Sequence, residues 1–193
     1  MKSILFLCFL LVASAVGAQG YTDSLRKYRS NYIKTHEVVK GTSVANLQFF
    51  PVKPEFRVPA SFEKTENAPW ISFQTTGSKN KVYRVYGVIS FNLEGAVHKL
   101  NIYQSQDLLN TNYSSYLFLP FTDASNGNGT YVTGRYIDLK MEDISEGTVM
   151  IDFNKAYNPY CAYVDGVYNC PIPPQENNLA IAITAGEKDF IRE

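Results

Sequence analysis

The chain predicts an all-β domain, an antiparallel barrel or sandwich of about eight or nine short strands, with one helix at its N-terminal end. Three observations carry that reading. Apolar residues alternate with polar ones from Ala45 onward. Glycine, proline and asparagine interrupt the alternation at short intervals. Tyrosine (14) and phenylalanine (12) are abundant against a single tryptophan, and such rings suit pleated, half-buried surfaces.

Residues 1–19 have the layout of a secretory signal: a charge at Lys2, an apolar run from Ile4 to Val16, and small residues at Val16-Gly17-Ala18 before Gln19. The expected product is therefore exported, periplasmic or secreted, and begins at Gln19 or Gly20. The apolar run is shorter than the roughly 20 residues of a bilayer crossing, so no transmembrane anchor is expected after cleavage. Cys8 lacks the small residues that precede a lipid-modified cysteine. Of the 193 residues, the 174 after residue 19 suffice for a single domain, 20–193. The whole chain carries 18 basic and 18 acidic residues, and losing Lys2 leaves a net charge of minus one. That balance offers nothing to a phosphate backbone or an anionic lipid, which excludes nucleic acid and membrane surfaces as partners.

A helix is expected over residues 22–39. Leu25, Tyr28, Tyr32 and Val39 share one face, Arg26, Lys27, Arg29 and Lys34 take the other, and Thr22 or Asp23 can cap its start. The strands follow in order. Phe56, Val58, Ala60 and Phe62 alternate with polar neighbours, with Pro59 favouring an edge; Ile71, Phe73 and Thr75 make a second, shorter strand. The longest runs from Lys81 to Leu93, where Tyr83, Val85, Ile89, Phe91 and Leu93 are expected on one face and Gly87 suits a bulge. Glu94-Gly95 turns it into a hairpin with residues 97–104. Further strands are expected at 116–121, 131–139, 148–153 and 179–184.

Two stretches depart from this alternation. Residues 119–136 are rich in Asp, Asn and Gly, as a hairpin loop or a loop approaching a ligand would be. Residues 152–178 contain Pro159, Pro171, Pro173 and Pro174, which lack ladder donors, and four tyrosines able either to pack on the sheet or to line a pocket. Cys161 and Cys170, nine positions apart in an exported chain, predict a disulfide, against the alternatives of a metal site or reactive thiols. A zinc site needs about four ligands, and only His36 and His98 could join the cysteines, so no metal and no cofactor are expected.

Gly134-Arg135-Tyr136-Ile137-Asp138-Leu139, Asp152-Phe153-Asn154-Lys155-Ala156-Tyr157-Asn158-Pro159, Cys161-Ala162-Tyr163, Cys170-Pro171-Ile172-Pro173-Pro174 and Ala185-Gly186-Glu187-Lys188 together resemble a bacterial family catalogued as domain of unknown function 1684. The resemblance also touches Phe49-Phe50-Pro51 and Leu119-Pro120-Phe121-Thr122-Asp123, so it spans nearly the whole mature chain. It implies one domain with a recurring polar set and no transferable activity. Tyr160 and Asn178 depart from the family's pattern, which expects Pro and Arg there.

Arg135 alternates in phase with Ile137 and Leu139, which directs its guanidinium inward or to a barrel mouth and requires an anionic partner, with Asp152 and Glu187 as the expected acids. The residues expected to converge on a ligand pocket are Asp123, Tyr131, Arg135, Asp152, Asn154, Tyr157, Asn158 and Glu187, built from the 119–136 and 152–178 segments. The ligand would be small, and anionic or polyhydroxylated. One alternative is a hydrolase or lyase using Asp152 and Glu187, with Arg135 stabilising an oxyanion. Another is a structural envelope protein in which the same residues form a buried network. No serine elbow, Cys/His pair, phosphate loop or helical metal motif is present, so the sequence favours binding over catalysis.

Overall fold

The computed structural model describes residues 2–192, with only the backbone described for residues 2–18. The chain divides into two compact units, residues 1–37 and 38–193. The first is a helix, α1 (Lys2–Thr35). The side chains of residues 1–18 of the expected signal segment lie outside the described residues. Among the described residues, no helix is long and apolar enough to cross a membrane. The helix ends four residues before the expected Val39. Val38 and Val39 are β-branched, and Gly41 adopts φ 63° at the start of a 3-10 turn over Gly41–Asn46, a conformation that no helix continues.

The second unit is mostly β: one curled, half-barrel sheet in the order β6-β5-β4-β3-β1-β7, with β2 paired to β3 and β8 to β5. The strands are β1 (Arg57–Lys64), β2 (Ile71–Phe73), β3 (Lys81–Leu93), β4 (Ala96–Ser105), β5 (Tyr116–Asp123), β6 (Arg135–Lys140), β7 (Thr148–Asp152) and β8 (Asn178–Leu179). All pairings are antiparallel except that of β5 with the two-residue β8. One face of the sheet carries the main core, including Ile89, Phe91, Leu100, Ile102, Leu119, Phe121, Ile137, Ile151 and Phe153.

The bulge expected at Gly87 is present, as a register shift between Val85 and Gly87 against β4. A Cβ on Gly87 would stand 2.3 Å from the Phe62 ring and 2.6 Å from the Glu63 carbonyl oxygen, so only glycine fits. The extra residue reverses the alternation, which corrects the single face expected for this strand. Ile89, Phe91 and Leu93 face the main core, whereas Tyr83 joins Phe73 and Tyr103 in a second aromatic cluster, with Val85 and Phe118 packed against it.

Pro59 was expected on an edge, yet β1 lies between β3 and β7. The β1–β3 ladder runs only from Ala60 to Lys64, so at Pro59 the strand has just one paired neighbour, Met150 of β7. Pro120 poses the same difficulty inside β5, where the pairing with β4 is confined to Tyr103–Phe118. Asn177 closes that gap. Its Oδ1 accepts from the Asn101 amide (2.9 Å), and its Nδ2 donates to the Asn101 carbonyl (2.9 Å) and the Pro120 carbonyl (2.6 Å). Replacing Asn177 by Ala orphans buried backbone groups, and is expected to lower the unfolding free energy by about 2–3 kcal/mol in a urea titration. A loss near zero would show that this side chain does not tie β4 to β5.

Candidate functional site

Six of the polar residues singled out in the sequence, Asp123, Arg135, Asp152, Asn154, Asn158 and Glu187, are buried. Arg135 opens β6 opposite Phe121 of β5 and is completely buried (0 % exposed). Its Nη2 donates to Asp123 Oδ2 at 2.9 Å and to the Ile183 carbonyl at 2.7 Å; its Nη1 donates to the carbonyls of Ala185 (2.5 Å) and Glu187 (3.1 Å). Carbonyls of alternate residues 183, 185 and 187 thus converge on one guanidinium. The strand expected at 179–184 is therefore largely absent: beyond Leu179 the segment is held by the Arg135 side chain and by Asp123 Oδ1, which accepts from the Ile183 amide at 3.1 Å. The carboxylate that pairs with Arg135 is Asp123, whereas Asp152 and Glu187 were the acids expected to do so; Glu187 meets Arg135 through its backbone oxygen. Burial lowers the Arg135 pKa from its ordinary value, and the Asp123 carboxylate works against that shift.

The other predicted residues are engaged in holding loops to the sheet. Asp123 also accepts from the Ser125 amide (2.8 Å) and hydroxyl, and Asn126 Nδ2 donates to the Tyr131 carbonyl (2.8 Å), fastening the 123–131 loop. Asp152 accepts from the Asn154 amide at 3.1 Å, while the Asn154 carboxamide pairs with both backbone groups of Lys53 (2.9 and 2.8 Å). Glu187, 1 % exposed, accepts from the Asn158 amide (2.9 Å) and the Tyr163 hydroxyl (2.8 Å). Gly186, at φ 79°, brings this segment so close that a Cβ would sit 2.7 Å from the Phe153 and Ala156 carbonyl oxygens. Cys161 and Cys170 form a disulfide with a Cα separation of 6.2 Å. Among the described residues there is no cluster of metal ligands.

Tyr157 departs from this interior set, because its hydroxyl donates to Asp138 Oδ1 at 2.8 Å on the other face of β6. That face carries an open cleft of about 240 Å³, which the sequence reading missed. The registers explain how the strands build it. Val85 pairs with Tyr103, Tyr103 with Phe118, and Phe118 with Asp138, so one row of side chains crosses four strands and ends on a carboxylate. Tyr83 stacks on Phe118 (centroids 5.3 Å apart), and Phe118 meets Tyr136 edge-on at 4.7 Å. The lining is completed by Ser105, by Asp107 and Leu108 in the 3-10 turn after β4, and by Lys81 and Tyr116. Lys81 Nζ lies 2.8 Å from Asp107 Oδ2.

Asp138 is exposed at the cleft, and the protein packed around its strand removes part of its hydration. This desolvation raises its pKa above the ordinary carboxylate value, and the Tyr157 hydrogen bond only partly offsets it. Burial, reinforced by the Asp107 and Asp138 carboxylates, pushes the Tyr83 hydroxyl up to about 12. A carboxyl with a raised folded-state pKa favours the folded state when protonated, and that contribution is lost as pH rises from the ordinary carboxylate range through the raised value. Asp138→Asn is therefore expected to stabilise the fold at pH 7 and to make no difference below about pH 4. Denaturation midpoints at the two pH values check this, and an equal shift at both would refute the desolvation account.

A family model described as "Protein of unknown function (DUF1684)" matches residues 42–188. The chain belongs to this family. Every residue of the Arg135 network and of the cleft lies inside the matched span. Among solved structures, the solution NMR structure of an uncharacterized protein of Haloarcula marismortui is similar, with a TM-score of 0.66 and 28% identity over 89% of this chain and 96% of that chain. No curated protein matches.

Proposed function

We propose that this family member is an exported binding module that receives a small ligand in the aromatic cleft, with the Arg135 network serving as the frame that holds the cleft's strands and loops in place. The observation that carries this reading is the contrast between the two faces. Arg135 and Glu187 are sealed from water with their charged groups already engaged, whereas the other face offers tyrosine and phenylalanine rings and a carboxylate around an open cleft. Catalysis by Asp152 and Glu187 is disfavoured because both are buried and already accept hydrogen bonds from backbone amides. Export is supported by the signal layout of residues 1–19 and by the pairing of Cys161 with Cys170.

The test is a native mass spectrum of the mature protein recovered from its own host, beside that of a Leu108→Trp variant in which the indole fills the cleft. A small molecule retained by the wild type and absent from the variant supports the reading. A molecule retained equally by both places binding elsewhere and refutes it.

A further inference from the structure

We infer that the cleft recognises the positively charged end of a small organic cation, an alkylammonium or guanidinium group, with Asp138 as its counter-charge and the Tyr83 and Phe118 side of the cleft as its apolar wall. The inference rests on the binding reading above and names the ligand class for the same site. Three formal charges line the cleft, and two of them, Lys81 and Asp107, neutralise each other. Asp138 has no ion-pair partner among the described residues; a neutral tyrosine hydroxyl is what reaches it. An incompletely solvated carboxylate without a counter-ion beside electron-rich ring faces attracts a weakly hydrated cation and repels an anion. Just outside the lining the chain makes the same kind of contact, because Lys140 Nζ sits 5.3 Å from the ring centroid of Tyr116. Of the two ligand classes expected from the sequence, anionic ligands thereby lose their electrostatic ground, since the guanidinium that motivated them is on the other face, bonded to Asp123.

Isothermal titration calorimetry on the full mature protein tests this, using tetramethylammonium and methylguanidinium chlorides, methyl glucoside and inorganic phosphate against wild type, Asp138→Asn and Leu108→Trp. The expected result is binding of at least one cation, weakened about tenfold or more in Asp138→Asn and abolished in Leu108→Trp. Asp138→Asn keeps the shape of the cleft and an acceptor for Tyr157, and a cooperative melt confirms that each variant is folded. Cation binding that survives Asp138→Asn unchanged overturns the inference. Methyl glucoside or phosphate binding that Leu108→Trp blocks, with no cation bound, overturns the inference and leaves the binding reading standing. No binding by any probe overturns the inference, and if the native mass spectrum also retains nothing, the binding reading falls with it.

Discussion

Replacing Arg135 by Met is expected to lower the unfolding free energy by about 3–5 kcal/mol, the loss that follows when one partner of a buried ion pair is removed. Inward phasing alone suggests a milder outcome, because a methionine fills similar apolar space and a buried pair is often no more stable than its hydrophobic replacement. The structure changes that expectation. Arg135 is the donor to the carbonyls of Ile183, Ala185 and Glu187 as well as to Asp123, so its removal strands a carboxylate and leaves three buried acceptors without this donor. Against the roughly 5–15 kcal/mol of a typical domain this is a large share. Urea denaturation measures it, and proteolysis should cut first within residues 181–188, the segment those carbonyls anchor. A loss under about 1 kcal/mol would mean that the network contributes little to holding the fold.

The second large effect is expected on breaking the Cys161–Cys170 disulfide. The loop it closes spans ten residues, for which the chain-entropy model gives about 2–3 kcal/mol. The bridge also fastens residues 74–76. The Thr76 hydroxyl donates to Cys161 Sγ at 2.9 Å, the Thr76 amide to the Cys170 carbonyl at 3.0 Å, and the Ile172 amide to the Gln74 carbonyl at 2.9 Å. Denaturation with and without dithiothreitol, and of a Cys161→Ser/Cys170→Ser double variant, should show the same loss. Equal midpoints under all three conditions would contradict it. Since β2 leads directly into residues 74–76 and carries Phe73, which packs on Tyr83 and Tyr103, reduction should also loosen the aromatic cluster beside the cleft.

The contrast between these interactions and the cleft shows what the residue order can express. Strand β3 was legible to its ends, and so was the bulge at Gly87, because a long alternating run flanked by turn residues has few other readings. The inward direction of Arg135 was legible from phase. Its partner was not, since Asp123 reaches it through the register that sets Phe121 opposite Arg135, and register is a tertiary property. Asn177 was similarly hidden: its role exists only because Pro120 breaks the ladder beside Asn101. The cleft was missed for a more specific reason. Asp138 looks like an ordinary outward-facing charge between Ile137 and Leu139, and Tyr83 looks like a core residue in phase with Ile89. Carrying the bulge's reversal of alternation through to Tyr83 was the signal that could have found this face.

The central claim is that ligand enters on the aromatic face while the Arg135 network stays closed as a frame. Its most direct test is a pair of two-dimensional amide NMR spectra of the mature protein, recorded before and after adding back the small-molecule fraction released from protein recovered in its native compartment. The account predicts shifts at Tyr83, Ser105, Phe118 and Asp138, with Arg135, Ile183, Ala185 and Glu187 unmoved. Shifts confined to Arg135, Asp123 and residues 183–187, with the cleft silent, would contradict it.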